Sequence, residues 1–171
     1  TTPPSLGSYV FPTNLKIIYI SDNTLSAYQQ AWGDGYTYIH SGNSLTLHVE
    51  IPGTLSYLIS DAGINAEMVA RLILTGTLND DDFTYMRETM TSLVDVDLSG
   101  IMNTRGVNFT NKNKLAKIIL PANLTSIERY AFQNCSSLTS ITIPNSVTSI
   151  EYYAFYDCYS LSSITIPNSI M

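Results

Sequence analysis

The sequence predicts a repeat protein: an α/β-type solenoid of short parallel β-strands, joined to a small strand-rich module at the amino end. Two observations predict this fold class. A 23-residue segment recurs in the second half of the chain, and each copy opens with apolar residues at the alternating positions typical of a strand. One copy is too short to bury a core of its own, so neighbouring copies must stack and share one.

The repeat is clearest between residues 115 and 160. Residues 115–137 and 138–160 are identical at 12 of 23 positions without a gap, and residues 161–171 match the start of the second copy at 8 of 11 positions. The alternation of apolar residues predicts a strand at each opening. The proline that follows predicts its end, because proline has no N–H to donate to a neighbouring strand.

Weaker copies of the opening occur upstream, at residues 69–74 and 93–98, within a divergent repeat region that covers residues 69–114. Five strands are therefore expected at nearly equal intervals, one repeat length apart. Between these two openings, Asn79 and the three aspartates after it predict the start of a helix near residues 80–90, since an asparagine cap and an acidic first turn suit the positive end of the helix dipole. The alternative is that the three carboxylates bind a cation.

The pattern from Leu138 to Cys158 reads L-x-x-I-x-I-P-x-x-V-x-x-I-x-x-x-A-F-x-x-C. It resembles the BspA-like leucine-rich repeat of bacterial surface proteins. Residues 53–100 are similar to the segment that precedes such repeats in secreted proteins of anaerobic bacteria. The resemblance implies a leucine-rich repeat domain over residues 53–171, preceded by a strand-rich, cap-like module over residues 1–52. One departure is that Glu128 and Glu151 stand where the family usually has glycine.

Within the N-terminal module, residues 15–20 show the strand spacing again, and residues 21–33 resemble the strand-plus-helix that closes the carboxyl end of related arrays. The last copy breaks off at Met171, which predicts an uncovered strand edge. One hypothesis is self-association, in which the N-terminal module of one molecule caps the C-terminal repeat edge of another. The alternative is that Met171 is an arbitrary or frayed end.

Composition excludes several classes of partner. The net charge is −6 and only 13% of residues are charged, so the chain can neutralise few phosphates and neither nucleic acid nor an anionic membrane is an expected partner. No apolar run approaches the length of about 20 residues that a membrane-spanning helix needs, so insertion into a membrane is not expected.

The sequence lacks recognisable catalytic and metal-binding motifs, so it predicts neither an enzyme nor a cofactor. His40 and His48 are the only histidines, and no nucleophile motif accompanies them. A hydrolase stays a third hypothesis that would need a pocket uniting a histidine with a carboxylate and a hydroxyl. Residues 95–100 resemble the start of a calcium loop but lack its third and twelfth ligands. Cys135 and Cys158 occupy equivalent positions in the two full copies, where free buried thiols are expected, with a disulfide as the alternative.

The repeat register predicts which residues face outward, because the third and fifth residues of each opening alternate with the apolar ones. The first ladder comprises Arg71, Asp95, Lys117, Ser140 and Ser163, and the second comprises Ile73, Asp97, Ile119, Thr142 and Thr165. Six of these are candidate ligand contacts, namely Arg71, Asp95, Asp97, Lys117, Thr142 and Thr165. The alternative is that the ladders only stabilise the sheet through contacts between strands.

A second candidate surface comes from positions that differ between the two full copies. Tyr152, Tyr156 and Tyr159 replace Arg129, Gln133 and Ser136 of the copy before. Tyrosine offers a large contact area and a hydroxyl at little conformational cost, so the three are candidate ligand contacts. The alternative is that they are scattered surface aromatics.

The resemblance implies a function that the residues accommodate. It implies a secreted or cell-surface bacterial protein that binds a protein ligand without catalysis and mediates adhesion to the host extracellular matrix or to other cells. The alternative is a carbohydrate-binding or scaffold module of a surface glycan system, because exposed tyrosines and small hydroxyls also suit sugars.

Overall fold

The structure is a computed structural model that describes residues 17–20, 37–40, 43–103 and 106–170. Side chains are described from residue 43 onward, except that of Asn103. The strand-plus-helix expected at residues 21–33 lies outside the described residues.

Six strands form the main sheet, in the same order in space as along the chain. They are β1 (Ile17–Ile20), β2 (Thr37–His40), β3 (Ser44–Val49), β4 (Arg71–Thr77), β5 (Asp95–Asn103) and β6 (Lys117–Ile119). Neighbouring strands are parallel, except β2 and β3, which are antiparallel and separated by a short connection. The parallel pairs require longer connections, because the chain must return to the starting edge of the sheet before each new strand.

The C-terminal repeats continue the arrangement with shorter strands. β8 (Ser140–Thr142) pairs in parallel with β10 (Ser163–Thr165), and β7 (Ser126–Ile127) pairs in parallel with β9 (Ser149–Ile150). The five strands expected at the repeat openings are confirmed as β4, β5, β6, β8 and β10. The pair of β7 and β9 was not expected, and it gives the repeats a second line of strand pairing from one coil to the next.

The described residues between β3 and β5 include three helical segments: α1 (Leu55–Asp61), a 3₁₀ turn (Ala66–Met68) and α2 (Asp80–Glu88). The helix start expected at Asn79 is confirmed. The Asn79 side chain accepts hydrogen bonds from the N–H groups of Asp81 and Asp82, and the Asp82 carboxylate accepts one from the N–H of Asn79. This reciprocal pair is a capping box.

Asp82 has a structural role that the sequence did not reveal. It is only 1% exposed, and its carboxylate also accepts hydrogen bonds from the N–H groups of Gly53 (2.7 Å) and Leu55 (3.0 Å). Thr54, the N-cap residue of α1, makes no side-chain capping bond of its own. One buried carboxylate therefore serves the N-termini of both helices, where a negative charge is stabilised by the helix dipoles.

One backbone hydrogen bond recurs at the same place in successive coils. The N–H of the residue before each strand donates to the carbonyl of the equivalent residue one coil earlier. The pairs are Ala70 to Asn43 (2.8 Å), Val94 to Ala70 (2.8 Å), Ala116 to Val94 (2.8 Å), Thr139 to Ala116 (3.3 Å) and Ser162 to Thr139 (3.0 Å). This backbone ladder links β3 to β10 and joins β6 to β8, so it holds the described coils in one register.

A row of phenylalanines fills the core beneath the turns. Phe83 meets Phe109 edge to face with ring centroids 5.8 Å apart, Phe109 stacks on Phe132 at 6.1 Å, and Phe132 stacks on Phe155 at 5.4 Å. Phe109 and Phe132 are fully buried, whereas Phe155 is partly exposed because no further complete coil covers it among the described residues. The row links the divergent repeats to the regular ones through one continuous core.

The turns of the coils use left-handed backbone at two repeated places. Asn111, Asn134 and Asp157 occupy the first place, with φ between 59° and 66°, which asparagine and aspartate tolerate well. Tyr130 and Tyr153 occupy the second, each with φ of 62°. Glu128 and Glu151, which replace the family's usual glycine, are not among the described residues with positive φ, so the chain turns two residues later, at the tyrosines.

The two ends of the described chain differ. β3 belongs to the segment assigned to the N-terminal module, yet it pairs with β4 along its whole length, and Leu45 and Leu47 join the common core. The division at residue 52 stays a prediction. At the other end, Ile164 and Ile166 are 37% and 55% exposed, whereas Ile141 and Ile143, one coil earlier, are 3% and 2% exposed.

The phenylalanine row yields a stability prediction. Phe132→Ala should lower the free energy of unfolding by about 3–5 kcal/mol, because it opens a cavity between two stacked rings. Phe155→Ala is the matched control and should cost clearly less, since its ring is already partly exposed. Urea unfolding of the two variants measures the difference, and equal losses would contradict a core that is continuous through the stacked coils.

Candidate functional site

The outward face of the sheet carries a short charged ladder. The register places Arg71 beside Asp95 and Asp95 beside Lys117, as expected from the repeat. The Arg71 Nε and the Lys117 Nζ lie 3.6 Å and 4.0 Å from the same Asp95 oxygen, Oδ2. The other oxygen, Asp95 Oδ1, is buried and has no hydrogen-bond partner. The ladder therefore pairs its charges across strands and leaves one acceptor unused.

The second outward ladder is less polar and less exposed. Ile73 and Asp97 are half-buried, and the Asp97 carboxylate accepts a hydrogen bond from the N–H of Ser99 at 2.9 Å. Thr142 and Thr165 are exposed neighbours on β8 and β10. Because Asp95 binds basic side chains and Asp97 closes a local turn, residues 95–100 form a strand with its own partners rather than a calcium loop.

The structure brings two of the three predicted tyrosines into a larger aromatic group. Tyr152 and Tyr156 each meet Tyr153 edge to face, with ring centroids 5.6 Å and 5.5 Å apart. Tyr153 stacks on Tyr130 of the coil before, at 5.7 Å. We call Tyr130, Tyr152, Tyr153 and Tyr156, together with Arg129, the tyrosine cluster. Three of its rings are at least half exposed: Tyr152 (62%), Tyr153 (52%) and Tyr156 (50%).

Arg129 is held between two of these rings. Its guanidinium carbon lies 4.4 Å from the ring centroids of both Tyr130 and Tyr152, within the range of a cation–π interaction. Its guanidinium also donates a hydrogen bond to the Tyr130 hydroxyl. The ion pairs found among the described residues do not include Arg129. The cluster is therefore an exposed assembly of rings packed around one cation.

Tyr159, the third predicted tyrosine, stands apart from the cluster. It is 80% exposed, and within the described residues its ring stacks on no other aromatic ring. Its hydroxyl donates a hydrogen bond to Asp157 at 2.6 Å, and this bond raises the pKa of Tyr159. Tyr159 thus offers an open ring outside the tyrosine cluster.

Sequence comparison of the two copies missed two of the cluster's four tyrosines for a physical reason. It singled out positions that differ between copies, whereas Tyr130 and Tyr153 are identical in both. Identity suggests burial, but these two rings repeat because they stack on one another across coils. Arg129 was noted only as the residue that Tyr152 replaces, although the two are neighbours in space.

The histidines and acidic residues do not form a catalytic arrangement in the described part of the chain. His48 is half-buried on β3, and its Nδ1 lies 2.8 Å from the Thr75 hydroxyl on β4, a packing contact between strands. The side chain of His40 lies outside the described residues. Among the described side chains, no group of three histidine, cysteine or acidic residues is placed to hold a metal ion.

Both cysteines are free thiols that donate hydrogen bonds to the preceding coil. Cys135 Sγ donates to the Phe109 carbonyl at 3.1 Å, and Cys158 Sγ donates to the Phe132 carbonyl at 3.0 Å. Burial raises the pKa of Cys135 to about 12 and also raises the pKa of Cys158. Cys135 is fully buried, while Cys158 is only half-buried, because fewer of the described residues lie beyond it to cover it.

The raised pKa values predict low thiol reactivity. At pH 8 a thiol reagent should modify the folded protein far more slowly than the unfolded chain, since the reactive thiolate is scarce and shielded. Folding should slow the modification of Cys135, measured in the Cys158→Ala variant, more than that of the half-buried Cys158, measured in the Cys135→Ala variant. Reaction of the folded protein at the unfolded rate, or fewer than two reactive thiols in non-reducing denaturant, would contradict these assignments.

Comparison with known proteins agrees with the repeat geometry. Residues 103–171 match the family model described as "BspA type Leucine rich repeat region (6 copies)". No curated protein matches the chain. Within the described ranges, the helices are too short or too polar to cross a membrane. The matched residues include β6 to β10, the stacked phenylalanines 109, 132 and 155, and the tyrosine cluster. The part of the chain from residue 103 to residue 171 is therefore similar to a BspA-type leucine-rich repeat region.

Proposed function

We propose that this chain is a non-enzymatic leucine-rich repeat solenoid that binds a protein ligand, with the tyrosine cluster and Tyr159 as the main contact surface. The observation that carries the proposal is the packing of the cluster, in which exposed rings are locked together by stacking and by Arg129. Exposed aromatic side chains that are already ordered lose little conformational entropy on binding.

The arrangement of the rings favours a protein over a sugar as the ligand of the cluster. Arg129 lies over the rings of both Tyr130 and Tyr152, and Tyr153 stacks on Tyr130. The cluster presents parts of several aromatic rings together with hydroxyls and one cation. These groups suit the mixed apolar and polar surface of a protein, in which tyrosine and arginine are typical of energetically dominant contacts.

The outward face of the sheet is a second contact surface in this proposal. Arg71, Asp95 and Lys117 form its charged part, and Asp97, Thr142 and Thr165 extend it toward the last strand. Stacked repeats commonly bind ligands on such extended faces.

We further propose that the protein acts at the bacterial surface or after secretion, and that its ligand is a host matrix protein or a protein of another cell. The match to a BspA-type repeat region supports this setting. A surface rich in serine, threonine, asparagine and tyrosine with a net charge of −6 is compatible with it.

The carbohydrate alternative depends on Tyr159. Its ring is 80% exposed and unstacked among the described residues, so a sugar ring can pack on either face. In that case the protein would be a carbohydrate-binding or scaffold module of a surface glycan system. Competition separates the two, because soluble sugars should displace a glycan ligand and leave a protein ligand bound.

We also propose self-association through the exposed strand β10. Ile164 and Ile166 are exposed on and beside β10, where their equivalents one coil earlier are buried. A second copy that covered them would extend the sheet by strand addition.

Light scattering tests this self-association. The mass should rise with protein concentration, and it should stay monomeric in an Ile164→Thr/Ile166→Thr variant. A monomeric mass at all concentrations would contradict it.

Replacing the predicted tyrosines tests the main proposal. The triple variant Tyr152→Ser/Tyr156→Ser/Tyr159→Ser should lose at least about tenfold in affinity for a matrix protein bound by the unaltered chain, because exposed aromatic anchors often carry most of the binding energy. Binding to an immobilised panel of matrix proteins and glycans, measured by surface plasmon resonance, gives the result.

Tyr57→Ser is the matched control, since Tyr57 is 74% exposed but lies on α1, outside the repeat region. It should leave the affinity unchanged. Thermal melts of all variants establish that the fold is retained. Unchanged affinity in the triple variant, or equal losses in the control, would contradict the tyrosine cluster as the binding surface.

A further inference from the structure

A small basic cavity lies where the divergent repeats meet the regular ones. Its volume is about 120 Å³, and it is lined by Arg87, Thr91, Asn111, Lys112, Asn113 and Lys114. Three of the chain's eight lysines and arginines therefore converge on one cavity of a protein whose net charge is −6. No carboxylate is among the residues that line it.

Lys112 anchors the cavity. It stands one repeat period before Cys135 and is only 5% exposed, and like Cys135 it donates to the element before it. Its ammonium donates to the carbonyls of Met90 (2.6 Å) and Arg87 (3.5 Å) at the C-terminal end of α2. Burial lowers the pKa of Lys112, and the positive charge of Lys114 lowers it further. Lys112 thus neutralises the negative end of the helix dipole, which would otherwise repel an anion.

The other lining groups supply donors. The Asn111 side chain accepts a hydrogen bond from Asn134 through its oxygen, so its amide N–H groups are available. Within the described residues, the Lys114 ammonium and the Asn113 side-chain amide have no hydrogen-bond or ion-pair partner. One guanidinium nitrogen of Arg87 contacts the exposed Glu88 carboxylate at 3.5 Å and the Thr84 hydroxyl at 3.3 Å. Neither Glu88 nor Thr84 lines the cavity.

We propose that this cavity is a binding site for a single sulfate or phosphate group, held by Arg87 and Lys114 with the asparagine amides. Its size suits one tetrahedral oxyanion, and arginine and lysine donors are the groups that recognise such anions. The site is separate from the tyrosine cluster and does not depend on the function proposed above. The overall negative charge still opposes extended polyanions, so the ligand is a single group, either a free ion or one ester on a larger molecule.

Calorimetric titration of the intact chain tests the site, with sodium sulfate, inorganic phosphate and glucose 6-sulfate as probes. Saturable binding is expected, weakening as sodium chloride rises. The Arg87→Gln/Lys114→Gln variant should bind about three- to tenfold more weakly. Lys114→Gln alone should show a smaller loss, and it provides the test if the double variant fails to fold. Tighter binding of glucose 6-sulfate than of free sulfate would identify an ester ligand, and equal binding would identify the free ion.

Lys117→Gln is the matched control, because it also removes one positive charge. Lys117 follows Lys114 closely in sequence but lies on the sheet face, outside the cavity. Its anion affinity should match that of the unaltered chain. The proposal is overturned if no probe binds saturably, or if Lys117→Gln weakens binding as much as Lys114→Gln does, since either result reduces the cavity to general electrostatic attraction.

Discussion

The hydrogen bond from each coil to the carbonyl of the coil before it is the interaction on which the rest of the structure depends. It recurs from Asn43 to Ser162 at one position per coil, across connections that differ in length and content. Because it fixes where each strand begins, it determines which side chains face inward and which face outward. A shift by one residue would reverse the two faces, so the register is also what defines the candidate binding surfaces.

Stacking in a fixed register converts sequence repetition into rows of identical contacts. The phenylalanines, the left-handed asparagines and the thiol-to-carbonyl hydrogen bonds each form such a row. Departures from repetition then stand out as local adaptations. Lys112 occupies the cysteine position where the preceding element is a helix, and Tyr152 occupies the arginine position where it can cover Arg129. Both departures create surface features that a perfectly regular array would lack.

The sequence predicted those parts of the structure that follow from the period. The strands β4, β5, β6, β8 and β10, the outward ladders and the start of α2 are confirmed, because alternation and capping are local patterns. β3 was not predicted as a repeat strand, since Ser44 and its partner Arg71 lie farther apart in sequence than the paired residues of later strands. Arg129, Tyr153 and the basic cavity depend on which neighbours meet across coils, and such contacts leave no local signal in one sequence.

Native-state hydrogen exchange tests the central claim most directly, because it reports each bond of the backbone ladder separately. Protection should be strong at the amides of Ala70, Val94 and Ala116, persist at Thr139, and weaken at Ser162, whose coil is covered on one side only among the described residues. Exchange at Thr139 as fast as in an unfolded peptide, with Ala116 still protected, would show that the regular repeats do not stack on the divergent ones. That result would contradict the account.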